Sequence, residues 1–276
     1  MGRSSAHYPV HALVIVLCAL TAFPMLWMLS TAVKPQSEVF QPGIHLLPEA
    51  PTLGNFPQAF QVFPIGWWFY NSLLIGVLIT LGKLAISLPA AYAFARMRFR
   101  LREPLFAMAL GTMIVPGVVT VVPTYVLIAR LDWINTPQGV IVPSIAHTGF
   151  YVFLLRQYFL TLPQEIFDAA RVDGAGPWAS LWRIGVPNVR PAIVVVLVMA
   201  FLSAWNQYLW PLIVLNDLPR KTVAVGMQFF ARNSEAAQLW GPMMATATLA
   251  TLPPLLLYAL AQRRIISTFV TSGLKG

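Results

Sequence analysis

The stretch Leu162–Pro191, LPQEIFDAARVDGAGPWASLWRIGVPNVRP, decides how the rest of the chain is read. It is amphipathic, carries both charge signs, and lies between two apolar blocks that are each long enough to cross a bilayer. Ile166, Ala169, Ala170 and Asp173 follow helical spacing. Pro163, Gln164 and Glu165 suit a helix start, with a carboxylate near the positive end of the macrodipole. The pattern predicts a short helix from Gln164 to Val172. Gly174 is the residue able to take a positive φ where that helix stops, and Pro177 fits the first turn of a second helix over Trp178–Ile184. Trp178, Leu181 and Trp182 are expected on one side of it, with Pro187 and Pro191 ending it. The result is a helix-turn-helix with small residues, Ala169 and Ala170, at its tip, where another protein's surface can approach closely.

Working outward, the chain has 276 residues, 58% hydrophobic and only 10% charged, with mean hydropathy +0.70. That composition belongs to a polytopic membrane protein rather than a soluble domain. A net charge of +9 in a soluble protein would suggest nucleic acid. Here it is assigned to loops facing anionic lipid, and no nucleic-acid partner is expected. Cys18 stands alone, so no intrachain disulfide is possible, and its apolar neighbours suggest a packed, inert thiol. No cleavable signal is expected, because Pro24, Trp27 and Met28 stand where small residues should be.

Six blocks reach the roughly 20 apolar residues that a helical span needs: 10–32, 68–95, 105–129, 139–160, 192–214 and 242–261. The fold class expected is therefore an all-α integral membrane protein of six transmembrane helices, one domain over 1–276, with a loop at 161–191 and a tail at 262–276. Placing both termini in the cytoplasm puts twelve of the 18 Lys and Arg residues inside, among them Arg3, Arg96, Arg98, Arg171, Arg183 and Lys275. The 161–191 loop then faces the cytoplasm.

Within the spans, Lys83 lies about 20 Å of helix from either end of its block. It must therefore face protein or a water-filled path. It either lines a translocation route for an anionic or polyhydroxylated solute, or pairs with a partner subunit or polar backbone. Asn206, Gln207 and Tyr208 form the densest polar cluster in a span, suited to binding sugar hydroxyls or to joining helices. His147 is read as a packed, hydrogen-bonded histidine; no second histidine or carboxylate stands at metal spacing, so no metal or other cofactor is expected in this chain. Gly82-Lys83 is not a phosphate loop: five residues separate Gly76 from Gly82 where four are needed, and Leu84 replaces the magnesium-binding hydroxyl. Pro116, Pro123, Pro143 and Pro211 are expected to kink their helices. Trp27, Trp67, Trp68, Trp210 and Trp240 are expected at membrane interfaces. Val223, Val225, Met227, Phe229 and Phe230 are expected to form an apolar face outside the bilayer.

Asp168-Ala169-Ala170-Arg171-Val172-Asp173-Gly174-Ala175, followed after eight residues by Ile184-Gly185-Val186-Pro187, resembles the EAA loop of the permease subunits of binding-protein-dependent ABC importers. Asp168 replaces the usual glutamate and Val186 the usual leucine. Further stretches resemble the carbohydrate-uptake branch: Asn71-Ser72-Leu73, Ala91-Tyr92-Ala93, Trp205 to Pro211, Thr222 to Gly226 and Thr271 to Gly276. The resemblance covers nearly the whole chain. It implies a second, homologous permease, two cytoplasmic ATPase subunits that bind ATP and Mg, an extracytoplasmic solute-binding protein, and a plasma-membrane location. This chain would then be a non-catalytic transporter subunit. The coupling residues it implies are Glu165, Asp168, Ala169, Ala170, Asp173, Gly174, Ile184 and Pro187, with tail contacts to the ATPase at Lys275 and Gly276. Leu81-Gly82-Lys83, Arg156-Gln157-Tyr158-Phe159 and Trp205 to Pro211 look most like glycerol-3-phosphate permeases, and di- or oligosaccharide permeases share much of the pattern. A secondary carrier or membrane enzyme is the competing class. It would need intramembrane carboxylates, and none of the six blocks contains Asp or Glu.

Overall fold

The structure, a computed structural model, describes residues 8–43, 45–232 and 238–273, with side chains from Val10 to Gln262 within those limits. Arg3, Lys275 and Gly276 lie outside the described residues. Helices follow in the order α1 (Tyr8–Ala32), α2 (Gln36–Val39), α3 (Asn55–Val62), α4 (Ile65–Arg96), α5 (Arg102–Gly111), α6 (Gly117–Arg130), α7 (Pro137–Ala146) and α8 (Gly149–Thr161). They continue with α9 (Glu165–Val172), α10 (Pro177–Asn188), α11 (Arg190–Trp205), α12 (Leu209–Val214), α13 (Val223–Arg232) and α14 (Trp240–Gly273). No strand occurs among the described residues.

Three stretches are by themselves long and apolar enough to span a bilayer: Val10–Ala32, Ile65–Arg96 and Trp240–Gln262. Two bent pairs, α7 with α8 at 46° and α10 with α11 at 82°, would bring the number to five by length and composition if each were one span. The expected continuous blocks at 105–129, 139–160 and 192–214 are thus interrupted. The first breaks between Gly111 and Gly117, where Pro116 precedes α6 with extended backbone instead of kinking a helix. The second breaks at His147–Thr148, and the third at Asn206–Tyr208.

The chain divides into two compact units. In the first, residues 1–66 and 226–253, the proline-rich stretch after α1 is folded by specific bonds. Asn55 Nδ2 donates to the carbonyls of Ala32 and Lys34 (3.0 and 2.8 Å). The Glu38 carboxylate accepts the amides of Glu49 and Ala50, both at 3.0 Å. Phe63 meets Phe230 edge-on at 4.7 Å. None of the apolar window of α1 is buried, and Cys18 is exposed there instead of packed.

In the second unit, residues 67–225 and 254–276, α4 runs past two apolar clusters. One gathers Leu88, Ala91 and Tyr92 with Tyr151, Leu155 and Phe159 of α8 and Ala192, Val196 and Ala200 of α11. The other joins Ile75 and Ile79 to Ile128, Val140, Ala204, Trp210 and Val214. Between them Gly82 allows close approach: a Cβ there would lie 2.3 Å from Ile145 Cδ1 of α7.

At the Trp68 end of α4, the segment 214–223 is bonded down. Trp68 Nε1 donates to Leu218 O (2.8 Å), Asn71 Nδ2 to Pro219 O (2.8 Å) and Lys221 O (3.1 Å), and Val223 N to Ser72 Oγ (2.8 Å). Trp68 and Trp210 are therefore buried and hydrogen-bonded rather than interfacial, Trp210 Nε1 reaching Gly139 O at 3.2 Å. An indole N–H inside a bundle takes a carbonyl when one is in reach. Val223, Val225 and Phe230 are likewise buried and form no free outer face. Lys221 is buried with its ammonium donating to Leu215 O. Burial lowers its pKa from the usual lysine range, and the Asp217 charge opposes the shift.

Asn135 completes this end. Its backbone sits at φ 59°, Oδ1 accepts the amides of Asn216 and Asp217 (2.9 and 3.1 Å), and Nδ2 donates to Asp217 Oδ2 (2.7 Å). Asn135→Ala should cost about 2 kcal/mol, from the lost bonds and the left-handed backbone. Asn135→Gly, which keeps only the conformational freedom, should cost less. Melting midpoints of the two purified variants against the parent check the order.

Candidate functional site

The helix-turn-helix at α9–α10 forms where local chemistry places it. Gly174, at φ +80°, closes α9 in a Schellman motif: Gly174 N donates to Arg171 O (3.0 Å) and Ala175 N to Ala170 O (2.8 Å). Pro177 occupies the first position of α10. That helix runs further than expected, through a π-helical turn over Leu181–Gly185 to Asn188. Pro187 lies inside its last turn, and the 82° bend comes at Val189.

The two helices are rooted by their apolar faces. Phe167 and Leu181, each 1% exposed, join the cluster of α4, α8 and α11, with the Phe167 ring 6.0 Å from that of Tyr92. Burying each is worth about 2 kcal/mol. Ala170 is buried with them, so of the expected small-residue pair only Ala169 faces outward. Leu181 also parts from the tryptophans: Trp178 and Trp182 are 65% and 55% exposed, beside Val172 at 88%. The outward surface thus combines these apolar groups with Glu165, Asp168, Arg171 and Asp173, all exposed. Gly174 is exposed as well, whereas Ile184 and Pro187 are half-buried at the root of α10.

One residue that the sequence reading counted only as a loop charge holds this element in place. Arg96, the last residue of α4, donates through Nη2 to the carbonyls of Phe159 and Leu162 and through Nη1 to Gln164 Oε1 (2.7 Å). Its guanidinium lies 4.7 Å from the Phe167 ring centroid. Gln164 Nε2 passes the connection to Asp168 Oδ1 (3.0 Å), which also pairs with Arg171 Nη1 at 3.1 Å. A continuous polar chain therefore links the end of α4 to the exposed carboxylate of α9. A buried arginine after a long apolar run, followed by a helix end with orphan carbonyls, was the available signal.

A second constellation lies within the bundle. Lys83 is 7% exposed, with Nζ 5.0 Å from the Tyr151 ring centroid. It is housed inside its own chain, at a depth where a lysine costs about 3 kcal/mol to insert. It lines a cavity of about 180 Å³ with Ile79, Ser144, His147, Ser203, Ala204 and Gln207. A cavity of about 430 Å³ shares Ser144, His147 and Gln207, and adds Thr120, Thr124 and Tyr208 among others. His147 lies at the α7–α8 break, exposed to both cavities rather than packed, its Nδ1 donating to Pro143 O at 3.0 Å. Gln207 lies at the α11–α12 break, and its Nε2 donates to Ser144 Oγ at 3.2 Å. Gln207 therefore both joins helices and lines the cavities. Asn206 sits at the same break, exposed, and lines neither cavity. Among the described residues no His, Cys, Asp and Glu side chains gather in a metal-binding group.

Residues 83–269 match the family described as binding-protein-dependent transport system inner membrane component. The chain is 34% identical over 268 residues to the sn-glycerol-3-phosphate transport system permease protein UgpE of Pectobacterium atrosepticum, covering 95% of each chain. It is 32% identical over 276 residues to the protein of that name from Agrobacterium fabrum, covering 98% of each. A bacterial ABC transporter involved in the import of the acidic polysaccharide alginate shares the fold, with a TM-score of 0.83 at 20% identity over 95% of this chain and 98% of that one.

Removing the arginine tests the anchor. Arg96→Met should raise amide hydrogen exchange over residues 162–172 by roughly thirtyfold, the loss of about 2 kcal/mol of charge-assisted bonding. Arg96→Lys, which keeps the charge but not the fork, should fall between.

Proposed function

Because the chain belongs to the family of binding-protein-dependent transport system inner membrane components, and is a permease subunit of an ABC importer, we propose that it imports sn-glycerol-3-phosphate with energy supplied through α9–α10. In this reading the subunit pairs with a second, homologous permease and receives solute from an extracytoplasmic binding protein. Two cytoplasmic ATPase subunits bind ATP and Mg and dock on the exposed face of α9–α10. The observation that carries the reading is that face itself. Val172, Trp178 and Trp182 stand out in water among charged residues on an element whose inner face is locked into the bundle. The basic residues flanking the apolar blocks favour a cytoplasmic position for it. The solute follows from the relatives' names, and the buried cation at Lys83 agrees with an anion.

Mechanistically, closure of the ATPase pair moves α9 as a lever. Arg96 and Phe167 carry the movement into α4 and α8, and the helices broken at His147 and at Asn206–Tyr208 reorient around the cavities. Lys83, Gln207 and Tyr208 line the translocation path, with Asn206 beside it. Discontinuous helices suit this role, since backbone without helical partners is tolerated at membrane depth where it meets water or protein.

Two experiments test the reading. The chain, expressed with its neighbours, should co-purify with an ATPase and support ATP-driven uptake of sn-glycerol-3-phosphate into proteoliposomes. Uptake by the isolated chain under an ion gradient would replace this reading with a secondary carrier. Gly174 offers a finer test, because a Cβ there meets nothing within 4 Å, so only its backbone conformation resists substitution. Gly174→Val should cut uptake at least tenfold while ATP hydrolysis continues, and Gly174→Asn, which visits the left-handed region, should stay within about threefold of the parent.

A further inference from the structure

We propose that the adjoining cavities beside Lys83 are a binding site, within this subunit, for a small polyhydroxylated phosphate monoester, and that they select for the anion inside the membrane. The inference rests on the importer reading for its physiological role, and on four observations for the site. First, Lys83 is nearly fully buried on an apolar helix, with its ammonium against the π-face of Tyr151. Second, among the described residues no Asp or Glu lines either cavity, so the cation meets no counter-ion there. A buried ammonium in a polar-lined pocket without a carboxylate attracts an anion from solution.

Third, the groups around it match the remainder of such a solute. His147 Nδ1 donates to the carbonyl of Pro143, which leaves Nε2 for a hydrogen bond to a hydroxyl. Ser144 and Gln207, bonded to each other at 3.2 Å, each retain capacity for a further bond. Ser203 lines the cavity beside them. The smaller space, about 180 Å³, takes the phosphate end, and the adjoining space of about 430 Å³ provides the approach past Thr120, Thr124 and Tyr208. Fourth, the breaks at His147 and at Gln207, two of the three, both reach these cavities, so the backbone is already irregular where a hydrated solute needs polar walls. An uncharged polyol fills the hydroxyl positions and leaves the ammonium unpaired, so it binds more weakly. Selection for the anion therefore acts here a second time, after release from the binding protein.

The test uses the assembled complex in detergent without its solute-binding protein. Unfolding midpoints are measured with 10 mM sn-glycerol-3-phosphate and with 10 mM glycerol. The phosphate ester should raise the parent's midpoint by several degrees and glycerol should leave it unchanged. Lys83→Met should abolish the shift, Lys83→Gln should do the same, and Lys83→Arg should retain part of it. The ligand-free midpoints report folding separately, and methionine keeps the span apolar and of similar length. In proteoliposomes Lys83→Met should lower uptake of the phosphate ester at least tenfold. No shift in the parent, an equal shift in Lys83→Met, or an equal response to glycerol overturns the site. Loss of ATP-driven uptake by the parent complex would instead count against the importer reading, while the binding arm still decides the site.

Discussion

Everything that α9–α10 does depends on how firmly it is fixed to a helix it does not follow in sequence. Arg96 makes that attachment. Its planar donors satisfy two carbonyls at the end of α8 and the side chain that opens α9, while its face rests on Phe167. A lysine supplies the charge without the fork, and a loop residue supplies neither. Phe167 and Leu181 add an apolar root from each of the two helices, so the element is held from both arms of its turn. A load applied to its outer surface is then carried by α4, α8 and α11 together.

The same helix, α4, imposes order along its whole length. At one end Trp68, Asn71 and Ser72 bond to the returning segment after α12. In its middle Gly82 brings α7 close enough for Lys83, Ser144 and Gln207 to share one cavity. At the other end Tyr92 and Arg96 receive α8 and α9. Among the helices of this unit, α4 is the one that stays unbroken over such a distance. The interrupted helices pack around it, and two of their breaks, at His147 and at Gln207, reach the cavities beside Lys83.

How much of this was legible in the sequence follows the range of the interaction involved. The boundary at Gly174 and the start at Pro177 were readable because a left-handed turn and a helix's first position are decided by one residue's own covalent geometry. The facing of Trp68, Trp178, Trp210 and Leu181 was not, because tryptophan fits both a membrane surface and a buried carbonyl, and only the neighbouring helix decides. Hydropathy merged each of three interrupted stretches into one block, since apolar residues on both sides of a break look continuous to a window of fixed length. Signals were present: Pro143 with His147, and Asn206-Gln207-Tyr208, are costly in an intact span. Ala91 and Tyr92, part of a stretch that carries the family resemblance, pack in the core with Phe159 and Phe167.

The first helix stands apart from all of this. It is apolar on every side, and none of its apolar window is buried against its own chain; only Thr31 and Ala32 at its end are. It is held near its last turn, where Asn55 Nδ2 donates to the carbonyl of Ala32 and the Lys34 ammonium lies 5.0 Å from the Trp27 ring centroid. In a bilayer the exposed length of such a rod is solvated by acyl chains, so its tilt answers to the thickness of the lipid around it.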